Sequence, residues 1–266
     1  MSYDHYETLA FSCSGAVLRV ELNRPEVRNA FNGQVVDELN HAFAAIDADP
    51  DVRVVVLSGR GKGFSAGADL AWMKAQADLD PAASEADTAQ MARAFLAIAE
   101  CSKPVVARVH GHALGGGCGL TAAADVAYCA DDTVFGLTEV KLGIVPAVIS
   151  PFVMQKIGAG RARALFLTGE RFDGREAERL GLVFRAVPAD GLDAAVDAAV
   201  AHLLGSGPAA VGSAKRLIAA VAPLGLAESV PVTSRWIAQL RATPEAREGM
   251  TAFLDKRKPA WIEGQG

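Results

Sequence analysis

The stretch that decides the fold is Ala113-Leu114-Gly115-Gly116-Gly117-Cys118-Gly119-Leu120, where three consecutive glycines stand between a predicted strand and a predicted helix. Before it, Lys103–Val109 has the composition of a short buried strand. After it, Leu120–Ala124 is small, apolar and compatible with a helix. Such a turn leaves backbone N–H groups uncovered at the positive end of a helix dipole. We therefore expect it to hold an anion, or an oxygen that gains negative charge during a reaction.

A second glycine-rich stretch has the same character. It runs from Gly61 to Leu70, directly after the predicted strand Val52–Leu57. One N–H donor from each of two such loops would make an oxyanion hole. Taken singly, Ala66-Gly67-Ala68 also fits a plain tight turn, and Gly115–Gly117 also fits close packing of a helix on a sheet.

The bulk composition restricts the class of protein. With 266 residues, of which 51% are hydrophobic, the chain is long enough for one large domain or one and a half. A net charge of -5 with no Lys/Arg run argues against a nucleic-acid-binding protein. No apolar stretch reaches spanning length, and Met1–His5 lacks a basic start before an apolar block, so we expect no membrane segment and no signal peptide.

The four cysteines have no CxxC pair and no metal spacing: Cys13, Cys101, Cys118 and Cys129. This usage is typical of reduced thiols, and it predicts a cytoplasmic protein.

Strands and helices alternate in the first part of the chain. The patterns predict a hairpin, two helices and four further strands, namely strands Glu7–Phe11 and Ala16–Leu22, helix Phe31–Ile46 capped by Asn32, strand Val52–Leu57, helix Ala86–Glu100, and strands Val105–Val109, Asp125–Cys129 and Val134–Phe135. Leu79–Ala83, around Pro81, predicts a mobile loop.

The second part of the chain is mostly helical. Asp173 with Glu176 predicts a helix start, and Leu182–Val187 predicts one more strand. Four helices are then predicted, namely Leu192–Leu204, Ala209–Ala220, Leu226–Leu240 and Pro244–Lys256, the last capped by Thr243. We place a boundary near Gly205–Pro208, which divides the chain into a core, 1–205, and a helical region, 206–266.

Several motifs in this order resemble the crotonase (enoyl-CoA hydratase/isomerase) superfamily over nearly the whole chain. The matching residues are Asn23-Arg24-Pro25 with Arg28-Asn29-Ala30, Ser65–Leu70, Lys103–Ala107, Ala113–Gly117, Ala124-Asp125, Phe135–Gly143, Leu167-Thr168-Gly169 and Phe253–Trp261. The resemblance implies an α/β fold built as a spiral of ββα units with a helical C-terminal oligomerisation region. It also implies a homotrimer or a dimer of trimers.

The resemblance further implies the chemistry. The N–H groups of Ala68 and Gly116 would stabilise the oxyanion of a CoA thioester, which is worth roughly 3 kcal/mol per donor in comparable sites. Glu139, among apolar neighbours, would be the general acid/base. Judged from the local pattern alone, a solvated loop residue is the favoured interpretation of Glu139, and it is the resemblance that favours the general acid/base. The expected partner is an acyl-CoA substrate, with no separate cofactor and no metal.

A CoA-binding set is implied in the same way. Its members are Arg28, Ala30, Ala66, Asp69, Leu70, Leu114, Gly117, Phe253 and Lys256. Phe253 and Lys256 would reach the nucleotide of the same or a neighbouring subunit. For Lys256, a solvated position at a helix end is an equal alternative.

Gly119 departs from the family pattern, because ordinary hydratases carry a second glutamate there. The sequence is closest to a bacterial branch of methylglutaconyl-CoA and carboxygeranoyl-CoA hydratases, through Leu137–Pro151 and Ala252–Arg257. We therefore expect reversible addition of water to an α,β-unsaturated acyl-CoA, 3-methylglutaconyl-CoA or a related branched enoyl-CoA, with one glutamate. The alternatives are a Δ3,Δ2-enoyl-CoA isomerase using the same glutamate, and a non-catalytic or RNA-binding member of the fold.

Two further features allow more than one interpretation. His110 and His112 have the spacing of a metal pair, but no ligand cluster accompanies them, so a structural role is favoured. Arg108 in a predicted buried strand would pair either with the distal carboxylate of a substrate or with an acidic residue at a subunit interface.

Overall fold

Two β-sheets form the framework of the chain in the computed structural model, which describes Tyr3, residues 5–76 and residues 78–263. Part of the N-terminal segment used for the signal-peptide expectation, and the last three residues of the expected helical region, lie outside the described residues.

Nine strands are distributed over the two sheets in the described part of the chain. They are β1 (Leu9–Ser14), β2 (Val17–Leu22), β3 (Val54–Gly59), β4 (Val105–Val109), β5 (His112–Leu114), β6 (Val126–Ala130), β7 (Val134–Gly136), β8 (Arg171–Phe172) and β9 (Arg185–Val187).

Eleven α-helices pack on these sheets or extend beyond them, again counting only described residues. They are α1 (Gly33–Ala48), α2 (Leu70–Gln76), α3 (Pro81–Glu100), α4 (Gly116–Ala123), α5 (Ser150–Thr168), α6 (Gly174–Leu180), α7 (Leu192–Gly205), α8 (Pro208–Val221), α9 (Leu226–Arg241), α10 (Pro244–Leu254) and α11 (Ala260–Glu263). Short 3-10 turns stand at Pro25–Val27, Glu139–Leu142 and Ala189–Gly191.

The chain winds as a spiral. The larger sheet has the order β1-β2-β3-β4-β6-β9, and the smaller sheet has the order β5-β7-β8. The hairpin β1–β2 is antiparallel, whereas every other pair in the larger sheet is parallel. Each of β4 and β6 is followed by a strand of the smaller sheet, β5 and β7, so successive turns of the chain stack on one another. This is the predicted crotonase-like α/β fold.

The larger sheet is buried on both faces, as expected for parallel strands. On β3, Val55 and Leu57 face the main core beneath helices α1, α3 and α4. Val54 and Val56 face a smaller core that α7 covers, where Val196 is fully buried. This alternation explains why β3 contains only apolar residues until Ser58.

Most predicted elements are present. The hairpin and β4 are confirmed, and Asn32 caps α1 by accepting a hydrogen bond from Val35 N at 3.0 Å. Asp173 and Thr243 cap α6 and α10 through Glu176 N and Ala246 N.

The prediction of a mobile loop at Leu79–Ala83 is wrong, because α3 already begins at Pro81. Asp80 caps this helix, since its carboxylate accepts from the backbone N–H groups of Ala82 and Ala83 at 3.0 Å. Proline at the first helical position after an acidic cap is a helix-start signal. The small residues that follow it are therefore helical.

Other boundaries differ where tertiary pairing sets them. The strand predicted at Leu182–Val187 begins only at Arg185, where it pairs with Tyr128 of β6. The helix predicted to reach Lys256 ends at Leu254, because Lys256 adopts a left-handed φ of 55°. Strands β5 and β8 and helices α2, α5 and α11 were not predicted.

The C-terminal helices α8, α9 and α10 pack on one another and leave large apolar side chains exposed. Arg53 ties this region to the core by donating to the backbone carbonyls of Leu204, Ser206 and Trp261 at 2.8–2.9 Å. The break between α7 and α8 falls at the predicted boundary near 205, but the division into two regions stays a prediction.

No single helix within the described residues is both long and apolar enough to cross a membrane, although the segments 189–205 and 208–221 pass such a test jointly across a bend of 105°. The four cysteines are free thiols, with only Cys13 exposed.

Candidate active site

The two glycine-rich stretches lie against each other. Ser65 and Ala113 form a parallel β-bridge, in which Ser65 N donates to His112 O at 3.1 Å and Leu114 N donates to Ser65 O at 3.0 Å. A Cβ atom built on Gly67 would lie 3.2 Å from Gly116 N and 2.6 Å from Leu114 O. The loop that carries Ala68 therefore touches the turn that carries Gly116.

The backbone N–H of Ala68 is left available by the way its loop is held. Phe31 N donates to Gly67 O, and Asp69 N donates to Phe31 O, both at 2.7 Å. Gly67 has a φ of +85°, a conformation that favours glycine. These bonds use the residues on either side of Ala68, and no group among the described residues accepts from its N–H.

Two buried side chains support this loop from below. Ser65 Oγ donates to Asn29 O at 2.8 Å and accepts from Gly67 N at 3.1 Å. Asn29 Nδ2 donates to Arg60 O at 2.8 Å and to Gly63 O at 2.9 Å. Every polar atom named here is paired, as buried polar groups require.

The turn Gly115–Gly117 opens α4. Gly115 has a φ of +48°, and its N–H donates to Gly136 O at 2.8 Å. Gly116 is the first residue of the helix, so its N–H has no acceptor within the helix and points along the positive end of the dipole. A Cβ atom on Gly117 would lie 2.6 Å from Ser65 O, so only glycine allows the two loops to approach.

Glu139 places a carboxylate beside this turn. It begins the 3-10 turn after β7 and is half-buried. Its Oε1 would lie 3.1 Å from a Cβ atom built on Gly115, and its Oε2 is buried without a partner among the described residues. Burial raises the pKa of the Glu139 carboxyl above its ordinary value, and a backbone hydrogen bond opposes this only in part. A carboxyl group of this kind can both accept and return a proton during a reaction.

Apolar side chains cover the next turn of α4, at Gly119. A Cβ atom built on Gly119 would overlap Ile149 Cγ2 and would lie 2.9 Å from Phe95 Cε1. The Phe95 ring meets Phe31 edge-on at 6.2 Å and Phe152 at 5.9 Å. Hydrocarbon side chains therefore cover α4 at Gly119, one helical turn beyond the Gly115 position that faces Glu139.

The predicted residues around the loop that carries Ala68 lie close together, although their roles stay predictions. Arg28, at a left-handed φ of 57°, is exposed, and its carbonyl accepts from Ala66 N at 2.9 Å. Ala30 is buried, and its carbonyl accepts from Arg24 Nη1 at 2.5 Å. Asp69 caps α2 through Ala71 N at 3.0 Å, so its carboxylate already has a structural partner.

Four other predicted residues have different positions. Leu70 begins α2 and is 67% exposed, as a residue that meets a ligand or another chain must be. Leu114 ends β5 beside the glycine turn. Phe253 is 84% exposed near the end of α10, and Lys256 follows that helix. Their predicted role at the nucleotide of the same or a neighbouring subunit stays a prediction.

The two histidines and Arg108 have structural partners. Arg108 Nε pairs with Asp193 Oδ1 at 2.5 Å, and its Nη1 lies 3.1 Å from His110 Nδ1. The acidic partner of Arg108 in this structure lies in the same chain, and the pair joins β4 to α7. His110 Nε2 lies 3.0 Å from Gly61 O, and the His112 ring packs on Gly63. The described residues include no group of three or more His, Cys, Asp or Glu placed to hold a metal.

Sequence reasoning missed several contributors to the site. Ser65 and Asn29 lie within motifs that the sequence analysis identified, but the sequence did not predict the hydrogen bonds that they make. Phe95 and Ile149 come from α3 and the segment before α5, far from Gly119 in sequence. Only the fold brings them to that residue.

Two facing backbone loops with free N–H donors, and one half-buried carboxylate beside them, define an enzyme of the crotonase type. The chain belongs to the enoyl-CoA hydratase/isomerase family, whose model matches residues 12–264.

Individual relatives agree with this family over nearly their full length. A probable enoyl-CoA hydratase of Mycobacterium tuberculosis is 38% identical over 255 residues, covering 96% of this chain and 97% of the relative. A peroxisomal Delta(3,5)-Delta(2,4)-dienoyl-CoA isomerase of Arabidopsis thaliana is 30% identical and covers 98% of each chain. The crystal structure of an enoyl-CoA hydratase from Shewanella pealeana has a TM-score of 0.93 at 34% identity, covering 97% of both chains.

Proposed function

We propose that this enzyme adds water reversibly to the double bond of an α,β-unsaturated acyl-CoA thioester with a branched acyl group. The observation that carries the proposal is the carboxylate of Glu139, which is half-buried, has one unpartnered oxygen and lies beside Gly115 at the glycine turn. Relatives that match this chain over nearly their full length carry hydratase names, which supports the addition of water as the reaction.

In this mechanism, the thioester oxygen accepts hydrogen bonds from the N–H groups of Ala68 and Gly116. The Glu139 carboxylate takes a proton from a water molecule while the water oxygen bonds to the β-carbon. The electron pair of the double bond moves to the thioester, where the two N–H donors stabilise the enolate oxygen. Protonated Glu139 then returns its proton to the α-carbon, so water is added and the glutamate is unchanged.

The raised pKa of Glu139 suits this double role. A carboxyl group with an ordinary pKa would be a weak base at neutral pH and a reluctant acceptor of a water proton. Because burial destabilises the charged form of Glu139, its carboxylate is more basic, and its acid form is populated closer to neutral pH. One residue can therefore serve first as base and then as acid.

The CoA group is part of the substrate and is the group that the protein would bind, and the proposal includes no further cofactor and no metal. Ala30, Ala66, Asp69, Leu70, Leu114 and Gly117 would line the pantetheine and adenine path, with Arg28 as the cation. Exposed Arg28 has no side-chain partner among the described residues, which leaves its guanidinium available for a phosphate.

Mass spectrometry in heavy-oxygen water tests the reaction. We expect the wild-type enzyme to incorporate labelled oxygen into an enoyl-CoA with a methyl branch, and Glu139→Gln to lose at least 100-fold in turnover, which is the range of general acid–base catalysis. Glu170→Gln, at an exposed glutamate, is the matched control and should keep full turnover. Full turnover by folded Glu139→Gln would refute the mechanism.

The identity of the acyl group is tested by a matched pair of substrates. 3-Methylcrotonyl-CoA and 3-methylglutaconyl-CoA share the branch, but only the second carries a distal carboxylate. Arg108, the cation considered for that carboxylate, is engaged by Asp193. A preference for 3-methylglutaconyl-CoA would require another cation in the pocket, and equal turnover of the two thioesters would show that the branch alone is recognised.

Isomerisation of the double bond is the second candidate, and the apolar surroundings of Gly119 favour it. With Ile149 and Phe95 on this side of α4, no described residue places a second carboxylate next to Gly119 to hold water. Glu139 would instead carry one proton between the α- and γ-carbons of a 3-enoyl-CoA. One relative bears an isomerase name. A migrated double bond without labelled oxygen would establish this reaction and overturn hydration.

We also propose that the enzyme forms a homotrimer or a dimer of trimers in the cytoplasm. Apolar side chains on the C-terminal helices support assembly, because Leu226 is 92% exposed and Leu254 is 78% exposed in one chain. Light scattering coupled to gel filtration tests the assembly: three or six times the mass of 27.7 kDa is expected, and a monomer would contradict it.

A further inference from the structure

A half-buried lysine holds the end of α4 that is remote from the glycine turn. The Nζ atom of Lys156, on α5, donates to the backbone carbonyls of Ala124 at 2.9 Å and Asp125 at 3.0 Å. Ala124 ends α4, and its N–H closes the last turn by donating to Leu120 O at 3.1 Å. The ammonium group therefore lies at the negative end of the helix dipole, where a cation is stabilising. The N–H of Gly116 lies at the other end of the same helix.

Asp125 closes the stretch of chain that carries the glycine turn. Its N–H donates to Val105 O at 3.0 Å, and its carboxylate accepts from Val105 N at 2.7 Å. The segment 105–125 is thereby joined at its two ends, and it contains β4, β5, the glycine turn and α4. Lys215, on α8, donates to the same carboxylate at 2.8 Å. Lys156 and Lys215 thus brace this junction from two different helices.

The charges at this junction do not cancel, because Lys156 and Lys215 face the single carboxylate of Asp125. Burial lowers the pKa of the Lys156 ammonium, and the Asp125 carboxylate opposes that shift. The helix α4 is about 12 Å long, which places the ammonium about 15 Å from an oxygen held at Gly116 N. At an effective dielectric constant of about 20, one positive charge at that distance favours an oxyanion about sixfold.

We propose that Lys156 is a positioning residue for the reaction: from the C-terminal end of α4, its ammonium group fixes the place and the electrostatic strength of the Gly116 N–H at the N-terminal end. The inference rests on the proposed function, which makes this N–H an oxyanion donor. Lys156 lies about one helix length from the reacting atoms, so it acts through α4 rather than by contact with the thioester. The packing of α5 against α4 keeps the two ends in a fixed relation.

Arg161, also on α5, offers a matched comparison. Its Nη1 donates to Leu180 O at 2.6 Å, and Leu180 is the last residue of α6. Arg161 is therefore a second cation at the C-terminal end of a neighbouring helix, but α6 carries neither proposed oxyanion donor. Loss of either cation removes the same kind of bond, and only the loss of Lys156 should affect the thioester.

Isotope-edited infrared spectroscopy measures the thioester carbonyl directly and needs no turnover. The probe is butanoyl-CoA labelled with heavy carbon at the thioester carbonyl, whose stretching frequency falls when its oxygen accepts hydrogen bonds. We expect binding to the wild-type enzyme to lower this frequency. Lys156→Met should move the bound frequency back toward that of the free thioester. Lys156→Arg, which keeps the charge, and Arg161→Met should both retain the wild-type frequency.

Steady-state kinetics separate positioning from folding. Lys156→Met should lower kcat for the preferred enoyl-CoA about tenfold, with less than about a twofold change in KM, because the donor acts mainly when the oxygen carries negative charge. Arg161→Met should lose stability in urea but keep its kcat within about twofold of wild type. Lys156→Gln is the second uncharged variant, for use if Lys156→Met does not fold by circular dichroism, and it should show the same shift.

The outcomes separate this inference from the proposed function. If the wild-type enzyme lowers the carbonyl frequency but a folded, uncharged variant at Lys156 does so equally, Lys156 does not act on the oxyanion donor, and the hydratase proposal stands. An equal loss of kcat in Arg161→Met would also overturn the inference, because loss of any cation from α5 would then have the effect. If the wild-type enzyme binds the thioester without lowering its frequency, the oxyanion hole is not formed and both proposals fail together.

Discussion

Removing the hydroxyl of Ser65 should damage both stability and turnover. Ser65 is fully buried, and its Oγ donates to Asn29 O at 2.8 Å and accepts from Gly67 N at 3.1 Å. Each bond contributes about 1 kcal/mol net, and the Asn29 and Gly67 groups left unpaired in Ser65→Ala cost up to about 1 kcal/mol more each. We expect a loss of about 2–4 kcal/mol in the free energy of unfolding.

The kinetic effect follows from the position of Gly67. The Gly67 N–H, through its bond to Ser65 Oγ, fixes the backbone directly before Ala68. The N–H of Ala68 is the proposed oxyanion donor. A displacement of about 1 Å at such a donor costs on the order of 100-fold in rate. Ser65→Ala should therefore lower kcat for the preferred enoyl-CoA by 10- to 100-fold, whereas KM should change less.

Urea unfolding at one protein concentration and steady-state kinetics check these values, since assembly makes the apparent stability concentration-dependent. Ser213→Ala is the matched control: Ser213 is buried and accepts from Trp236 Nε1 at 2.8 Å, on the C-terminal helices. It should lose stability but keep its kcat. Wild-type kcat and stability in Ser65→Ala, or an equal loss of kcat in Ser213→Ala, would refute the reasoning.

Four further predictions rest on the same structure. The pH profile of kcat/KM should rise with an apparent pKa above the ordinary glutamate value, since burial raises the pKa of Glu139 and the carboxylate form is the active base. Glu139→Gln should raise Tm at pH 8 but not at pH 4. Gly67→Ala, at a φ of +85° and 2.6 Å from Leu114 O, should abolish turnover and destabilise the fold by more than about 1–2 kcal/mol. Lys215→Met should cost about 1–3 kcal/mol, because it leaves the partly buried Asp125 carboxylate without the cation at 2.8 Å.

The direction of the Tm change expected for Glu139→Gln follows from the linkage between proton binding and folding. The folded state binds this proton more tightly than the unfolded state, so the wild-type enzyme loses stability as pH rises above the unfolded pKa. At low pH both states are protonated, and the penalty is absent. A Tm gain at pH 4 equal to that at pH 8 would contradict the account.

The remaining variants also have controls. For Gly67→Ala, Gly143→Ala has a similar positive φ but open space around its Cβ, so its turnover should persist. For Lys215→Met, exposed Lys258→Met should leave stability within about 0.5 kcal/mol of wild type.

The local sequence was sufficient for elements with strong start and stop signals. Strand β4 was predicted at its observed bounds, and the capping residues Asn32 and Thr243 were identified. Such elements are determined by short-range hydrogen bonds and by apolar periodicity, both of which can be read from neighbouring residues. The misread loop before α3 carried the same kind of signal in Asp80 and Pro81, so that error was one of interpretation.

Elements that need a distant partner were missed or misplaced. Strand β5 has only three residues and exists because His112–Leu114 pairs with β7. Helix α5 has no clear amphipathic pattern and bends at Gly158, so its position depends on packing against α4. The spiral itself came from the resemblance to a family rather than from periodicity.

The sequence by itself determined the residue types of the site, namely the glycines of two loops and the single glutamate, Glu139, with glycine at position 119. Only the tertiary structure decided which groups meet: that Gly67 touches the Gly116 turn, that the Glu139 carboxylate lies beside Gly115, and that Ile149 closes the space at Gly119. The physical reason is that glycine patterns specify local backbone freedom, whereas contact between loops and the burial that tunes a carboxyl pKa depend on residues far apart in the chain.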